Sequence, residues 1–323
     1  MKPARLLASM LAFVAALPID AAVAQGFPSK PIRIIAPFAP GAGTDTLARA
    51  LSGPMTRSLG QNIIVENRPG AGTVVGTEVA ARAPGDGHTL LIIANSFTIN
   101  PAVRSKLPYD ALKDFAAVAR IASTPMIFAM HPSVPAKSLK DLIALARSRP
   151  GQLTYATSGA GTGHHLAGER FKLLANIDMI HVPYPGGAPA TIAVLGGHAS
   201  VLLVNLLSVV QHVAVGRLRP LAVTSLERVD VLKDVPTVAE SGFPGFDTAI
   251  WFGAVVPAAT PKEAINRLST EILRALQLPE VRDVINKTGL NAAGLGAADF
   301  DAFLRSELRQ NEKIAREVNL KID

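Results

Sequence analysis

Two glycine-rich segments of the chain contain residue types and spacings that suit the binding of an anion. Residues 37–45 and residues 158–165 each follow an apolar, strand-like run and precede a run with helical spacing. Such a turn directs free backbone N–H groups and the positive end of a helix dipole at one point. Neither segment contains lysine or arginine. Neutral N–H and O–H donors of this kind favour a carboxylate that must also be released.

An ordinary strand-to-helix turn is the alternative interpretation of either loop taken alone. The presence of two such loops favours a cleft that holds an anion from both sides. Within the first loop, Thr44 is predicted to be the N-cap of the following helix. Asp45 is interpreted as a partner of the helix dipole rather than as an acid catalyst, and contact with the ammonium group of an amino-acid ligand is a further alternative.

No motif predicts a catalytic nucleophile, a metal site or a cofactor. Ser158 is not in a G-x-S-x-G elbow. Neither the phosphate-binding G-x-x-x-x-G-K-[ST] motif nor H-E-x-x-H occurs, and residues 70–76 match a dinucleotide fingerprint only in part. His164 and His165 are adjacent, so on a helix they would point about 100° apart and would ligate one metal poorly. We therefore predict no catalytic residue, no metal and no cofactor.

Length and composition indicate an exported protein with about two domains. The chain has 323 residues and no cysteine, which excludes disulfides and a lipid-modified cysteine anchor. Lys2 and Arg5 precede an apolar stretch over residues 6–17 and an A-x-A sequence at residues 22–24, the three parts of a secretory signal peptide. We predict that residues 1–24 are a signal peptide and that the mature protein is periplasmic without a lipid anchor.

The positive charge of the chain does not predict a nucleic-acid partner. The net charge is +7, yet no two lysine or arginine residues are adjacent and few aromatic residues are available for base stacking. Residues 179–216 contain no charged side chain, but prolines and glycines divide them into short pieces. We interpret this segment as domain core rather than as a membrane span.

Apolar, β-branched runs alternate with helical patterns, which predicts an α/β architecture with mostly parallel sheets. The strand-like runs are residues 32–36, 63–65, 89–94, 126–130, 153–157, 179–182, 201–204, 221–224 and 249–256. Ser138 followed by Asp141 predicts one helix start, and Thr260 followed by Pro261 and Glu263 predicts another.

Many segments of the mature chain together resemble one receptor family. They are residues 28–33, 37–45, 65–72, 107–110, 131–133, 158–162, 165–169, 182–184, 234–240 and 251–253. On these motifs the chain is similar to the periplasmic solute-binding proteins of the tripartite tricarboxylate transporter family, the Bug receptors. The resemblance covers nearly all of the mature chain.

The resemblance implies a type II periplasmic-binding-protein fold, in which two α/β lobes with mostly parallel sheets surround a ligand cleft. We expect residues 25–124 and 248–323 to form lobe 1 and residues 125–247 to form lobe 2. The family's ligand-binding positions correspond to Phe38, Ala39, Gly41, Ala42, Gly43, Thr44 and Asp45 in the first loop, to Ser158, Gly159, Gly161, Thr162 and His165 in the second, and to Asn95, Ser96 and Asn205 as further candidates.

At four positions the chain departs from the family pattern. Ala42 replaces a glycine, His164 a small residue, Pro185 a lysine and Val204 an acidic residue. We expect these changes to narrow the mouth of the pocket and alter its polarity.

The function implied by the resemblance is that of a monomeric, non-enzymatic receptor that delivers a small organic carboxylate to membrane permease subunits. The ligand is left open among di- and tricarboxylates, acidic amino acids and aromatic carboxylates. A sensor that delivers its closed form to a signalling partner is one alternative, and an exported hydrolase is another.

Overall fold

The computed structural model describes residues 26–322, and the predicted signal peptide lies outside the described residues. The strands of this range are β1 (Ile32–Ala36), β2 (Ile63–Asn67), β3 (Thr89–Ala94), β4 (Phe115–Met130), β5 (Thr154–Thr157), β6 (Ile180–Pro183), β7 (Val201–Asn205), β8 (Arg219–Val223), β9 (Ala249–Pro257) and β10 (Asn291–Leu295). Its helices are α1 (Gly43–Leu59), α2 (Val74–Ala81), α3 (Ser96–Val103), α4 (Leu139–Ser148), α5 (Gly163–Ala175), α6 (Gly187–Leu195), α7 (Val210–Ala214), α8 (Lys262–Ala275), α9 (Pro279–Lys287) and α10 (Ala297–Glu317). Over residues 26–322, no helix combines the length and the apolar character needed to cross a membrane.

The strands form two α/β lobes that share the long strand β4. In the first lobe the parallel strands β2, β1 and β3 continue into β9 and β4, which run antiparallel, and β10 pairs with β4. In the second lobe the parallel strands β6, β5 and β7 meet the far end of β4, which also pairs with β8. The outer strands of each lobe are parallel, as predicted, and the antiparallel crossing strands make each sheet mixed.

Strand β4 changes lobes between Pro125 and Met126. Pro125 still pairs with Ala249 of β9, whereas Met126 pairs with Asn205 of β7. The chain returns to the first lobe at Ala249, where β9 begins. The connection between the lobes therefore consists of the crossing strands β4 and β9.

The core of the first lobe follows from the alternation of side chains along its strands. Ile34, Leu90 and Ile92 face one side of the sheet and pack with α1, α8 and α9. Ile35 and Leu91 face the other side and pack with α2, α3 and α10. Burial of both faces explains why these strands are continuous apolar runs.

The second lobe is built in the same way. Phe128 and Tyr155 pack with α4 and α5 on one face of its sheet. Ile127 and Leu202 pack with α6 on the other. Both sheets are therefore held between helix layers, and the loops at their strand ends are anchored on rigid elements.

One of the two predicted helix starts is confirmed and the other is wrong. Ser138 is the N-cap of α4, and its hydroxyl accepts a hydrogen bond from the Asp141 N–H at 3.1 Å. Helix α8 instead begins at Lys262, because Pro261 is extended and occupies the N-cap position. Thr260 therefore lies one residue too early to cap, and its buried hydroxyl has no partner among the described residues.

Candidate functional site

A cavity of about 510 Å³ lies between the lobes, where the N-termini of four helices meet. We call it the interlobe cavity. Its wall includes the first residues of α1, α3, α5 and α6, which are Gly43, Ser96, Gly163 and Gly187. The N–H groups of a first helical turn have no intrahelical acceptor, and each helix dipole places roughly half a positive charge there. No described lining residue is lysine, arginine, aspartate or glutamate. The positive potential of the cavity therefore comes from backbone.

The first loop is shaped by the carboxylate of Asp45. Its Oδ2 atom accepts a hydrogen bond from Gly41 N–H at 2.8 Å, and its Oδ1 atom accepts one from Arg49 Nε at 3.0 Å. Burial alone would raise the pKa of Asp45, but the hydrogen bonds from Arg49 and Gly41 outweigh it and hold the pKa below its usual range. Asp45 is buried and does not line the cavity. Its carboxylate stabilises the turn of the first loop by accepting a hydrogen bond from the Gly41 N–H.

Thr44 is not the N-cap that the sequence predicts. Helix α1 begins at Gly43, so its N-cap is Ala42, two residues before the predicted position, and no side chain caps it. The reason is that Gly41, with φ of +82°, completes the turn before Thr44 is reached. Thr44 is fully buried, lines the cavity, and has a hydroxyl without a partner in the described part of the chain. The first turn of α1 therefore has N–H groups without a side-chain cap and one buried, unused hydroxyl.

In the second loop the side chain of Thr162 caps α5. Its Oγ1 atom accepts from the His165 N–H at 3.4 Å and donates to the Gly159 carbonyl at 2.7 Å. The turn before it requires a left-handed backbone at Gly161, where φ is +74°. The cap occupies the third N–H of the helix and leaves those of Gly163 and His164 without intrahelical acceptors.

Two adjacent histidines at the start of α5 have different surroundings. His164 lines the cavity, with Nδ1 2.7 Å from Ser158 Oγ and Nε2 2.8 Å from Asn205 Oδ1. His165 does not line it, and its Nδ1 atom accepts from the Gly161 N–H at 3.3 Å. Burial lowers the pKa of each ring to about 4, so both are neutral at pH 7.

Asn95 connects the cavity to the crossing strands. Its Nδ2 group donates to the Ala249 carbonyl at 3.1 Å, and its Oδ1 atom accepts from Trp251 N–H at 2.9 Å. The next residue, Ser96, accepts a hydrogen bond from Thr73 Oγ1 at 3.0 Å. The amide of Asn95 therefore ties the end of β3 to the start of β9.

Aromatic and aliphatic side chains form the apolar part of the wall. The cavity is lined on its apolar side by Phe38, Ile250 and Phe252. Phe252 lies beside the start of α1, and Ile250 lies beside the start of α5. A Cβ atom at Gly43 would lie 2.7 Å from Cζ of Phe252, and one at Gly163 would lie 2.6 Å from Cδ1 of Ile250. Glycine at both helix starts therefore allows this wall to approach the backbone donors.

The structure gathers most of the predicted residues around the cavity. Those that line it are Phe38, Ala39, Gly41, Ala42, Gly43, Thr44, Asn95, Ser96, Ser158, Thr162 and Asn205. Those that do not are Asp45, Gly159, Gly161 and His165, which shape the two loops instead. Lining residues outside the predicted set include Ile250, Phe252, Ser208 and residues 185–189. Of these, Pro185 is expected from the sequence only as a change at the pocket mouth. Gly186 and Gly187, where β6 leads into α6, repeat the glycine-rich strand-to-helix pattern of the two predicted loops.

Comparisons with known proteins agree with this architecture. Residues 47–320 match the model of the tripartite tricarboxylate transporter family receptor. The chain is 34% identical to protein BugT of Bordetella pertussis over 100% of both chains. It is similar to a Rhodopseudomonas palustris protein solved with adipate, at 31% identity and a TM-score of 0.85, covering 91% of this chain and 99% of that one. It is also similar to MatC of the same organism with bound malate, at 28% identity and a TM-score of 0.82, covering 89% and 99%.

Proposed function

Because the chain belongs to the receptor family of the tripartite tricarboxylate transporters, we propose that it binds a small organic carboxylate in the interlobe cavity and delivers it to membrane permease subunits. The observation that carries this proposal is the meeting of four helix N-termini around a cavity whose described lining has no charged side chain. An anion there is stabilised by backbone N–H groups and helix dipoles.

We assign the carboxylate group of the ligand to the N-termini of α1 and α5. Thr44 offers a buried, unused hydroxyl, and the helix starts at Gly43 and Gly163 offer uncapped N–H groups. A carboxylate supplies the acceptors that these donors lack. Two similar proteins were solved with adipate and with malate, which supports a carboxylate as the ligand.

Ligand capture is assigned to a hinge movement between the lobes. We propose that residues 25–124 and 248–323 form lobe 1 and that residues 125–247 form lobe 2. The exchange of partners by β4, one residue beyond this boundary between Pro125 and Met126, supports the division. We further propose that the protein is a monomer exported to the periplasm without a lipid anchor. Similar solved structures described as periplasmic support the location.

A hydrolase is the alternative function, because Ser158, His164 and Asn205 are hydrogen-bonded in the order nucleophile, base and orienting residue. A serine–histidine hydrolase needs an imidazole that accepts and holds a proton. Burial lowers the pKa of His164 to about 4, and the neutral amide of Asn205 supplies no compensating charge. We therefore propose a binding protein rather than an enzyme.

Native purification followed by mass spectrometry of the retained small molecule tests the proposal directly. We expect a carboxylate, with calorimetry giving a Kd of about 1 μM or tighter, roughly −8 kcal/mol. A panel of di- and tricarboxylates, acidic amino acids and aromatic carboxylates that gives neither heat nor thermal stabilisation would overturn it. Product formation during prolonged incubation would favour the hydrolase.

A pull-down with the ligand-saturated protein distinguishes transport from sensing. Capture of permease subunits is the expected result, whereas capture of a sensor in their place would show the alternative role.

A further inference from the structure

A second cavity, of about 440 Å³, lies behind the crossing strands, and we call it the hinge cavity. Ala249 and Trp251 of β9 line it, whereas Ile250 and Phe252 line the interlobe cavity. Successive side chains of a strand point to opposite faces, so the two cavities lie on opposite sides of β9. The walls of the hinge cavity come from α10 of the first lobe, α5 of the second lobe and the strands that cross between them.

The hinge cavity is lined by charged side chains, which the described lining of the interlobe cavity lacks. They are Arg120, Arg170, Asp247 and Glu307. A charge that is partly removed from water needs a hydrogen-bonded partner. The partners of these four groups therefore determine which ligand the hinge cavity suits.

Arg120 has no hydrogen-bond acceptor in the described part of the chain. The residue is half-buried, and its Nε atom is buried without a partner. Its Cζ atom lies 4.5 Å from the centroid of the Phe303 ring, a cation–π contact that leaves the N–H groups at the edge of the guanidinium unused. Burial lowers the pKa of Arg120, and the nearby Glu307 carboxylate opposes this only in part. The charge of Arg120 therefore lacks a hydrogen-bonded partner.

Two further donors of the hinge cavity have no acceptor. The Cζ atom of Arg170, on α5, lies 5.2 Å from the centroid of the Phe246 ring, and its guanidinium forms no hydrogen bond or ion pair with any of residues 26–322. The hydroxyl of Thr248, directly before β9, is buried and has no partner in the same range. Both residues line the cavity. Unpaired donors therefore come from both lobes and from the segment that connects them.

The acidic residues of the hinge cavity do not supply the missing acceptors. Glu307 Oε2 accepts from Trp251 Nε1 at 2.7 Å, and no ion pair joins Glu307 to Arg120 within the described range. Asp247 is exposed, so water solvates its carboxylate. The groups left unsatisfied are therefore donors, and a ligand that carries acceptors completes them. Carboxylates and phosphates suit a guanidinium best, because two parallel hydrogen bonds join the pair.

We propose that the hinge cavity is a second binding site, which takes a small oxyanion, a carboxylate or a phosphate, on the guanidinium of Arg120. Arg170 and Thr248 supply further donors to the same cavity. The occupant lies against elements of both lobes, because α5 and α10 both contribute to the walls. The site does not depend on the function proposed for the interlobe cavity, since none of these three residues lines that cavity.

The fluorescence of Trp251, the only tryptophan of the chain, tests the proposal. Its indole lines the hinge cavity, with a centroid 5.3 Å from that of the Phe303 ring that Arg120 covers. At constant ionic strength, titration with acetate and with inorganic phosphate should give a saturable change for at least one anion, with a Kd of about 1 mM or tighter. The anion that saturates identifies carboxylate or phosphate as the preferred group. Saturation by neither anion, or saturation by the cation ethylammonium, would overturn the proposal.

Variants that remove the same charge at two places locate the bound anion. Arg120→Gln should weaken binding at least about tenfold, because it removes the guanidinium. Arg309→Gln is the matched control, at an exposed position of α10 outside the cavity, and should change the Kd by less than about twofold. Where Arg120→Gln does not fold, Arg120→Lys replaces it. Lysine keeps the charge but not the two-point geometry, so we expect binding at least about threefold weaker. Unchanged binding by the Arg120 variant, or equal losses at Arg120 and Arg309, would show that the anion is bound elsewhere and overturn the proposal.

Discussion

The imidazole rings of His165 and His181 are stacked, with their centroids 3.7 Å apart and their planes at 12° to each other. His181 Nε2 lies 2.6 Å from Thr157 Oγ1. Burial lowers the pKa of His181 to about 3, and its closeness to His165 contributes further. Two charged rings at this separation would repel, so the stack beneath the second loop exists because both rings are neutral.

The first prediction concerns acid. For His164 the pKa is about 4 in the folded protein and ordinarily 6.5, so the unfolded chain binds more protons between these values. The contribution of neutral His164 to the free energy of unfolding is therefore present above pH 6.5 and is lost as the pH falls towards 4. Between pH 7 and pH 5 we expect His164 alone to lower the free energy of unfolding by about 2 kcal/mol, measured by urea denaturation.

The window from pH 7 to pH 5 isolates the histidines, because ordinary carboxyl groups titrate below it. His164→Gln should show a smaller loss over this range than the parent protein. His198→Gln is the control, since His198 is exposed. A free energy of unfolding that is constant from pH 7 to pH 5 would contradict the neutral histidine cluster.

The second prediction concerns the unused hydroxyl of Thr44. Thr44→Val keeps the shape of the side chain and removes its donor, so we expect carboxylate affinity to fall about tenfold with little change in Tm. Thr260→Val is the matched control, because Thr260 also has a buried, unpartnered hydroxyl but does not line the cavity. Titration calorimetry on both variants decides. Unchanged affinity in Thr44→Val would remove Thr44 from the site.

The third prediction concerns the close approach of Phe252 to α1. Gly43→Ala would place a methyl group 2.7 Å from the ring, so either the ring or the helix start must move, and we expect affinity to fall at least tenfold. Gly53→Ala is the control in the same helix, since its nearest neighbour beyond the local backbone is 3.6 Å away. That change should raise stability by up to about 1 kcal/mol and leave binding intact. Normal binding by Gly43→Ala would disprove the packing argument.

The fourth prediction concerns Asn95. Asn95→Ala removes the partners of the Ala249 carbonyl and the Trp251 N–H, which we expect to cost about 2–3 kcal/mol of unfolding free energy. Asn291→Ala, at an exposed position of β10, should change it by less than about 0.5 kcal/mol. Urea denaturation of both variants tests this. Equal losses would show that the bridge between β3 and β9 does not stabilise the fold.

The strands that the sequence predicts well are those buried on both faces. β1 and β3 were expected at their observed bounds, because continuous Ile and Leu runs between helical segments are typical of such strands. The first half of β4 was not, since alanines, Arg120 and Pro125 give weak strand signals. Its extended form depends on pairing with β9, more than a hundred residues later, which no local pattern shows.

For the cavity, local sequence identifies the loops but not how each side chain is used. The two glycine-rich turns both reach the cavity, because a strand-to-helix turn directs the helix start outwards. Asp45 and His165 were predicted ligand contacts, yet each is turned towards its own loop by a hydrogen bond to a backbone N–H. The hydrogen bond between His164 and Asn205 joins residues about forty positions apart, so only the folded sheet brings the two side chains together.

The two crossing strands also determine when the protein is able to fold as it is synthesised. β1, β2 and β3 emerge early, but the strand that closes their sheet, β9, ends at Pro257. Until β9 has been synthesised, neither β3 nor the first part of β4 has the strand that lies between them in the finished sheet. Closing contacts over such long separations is slow, because the loop entropy must be overcome before the pairing is gained. The sheet of the first lobe is therefore complete only after most of the chain has been synthesised.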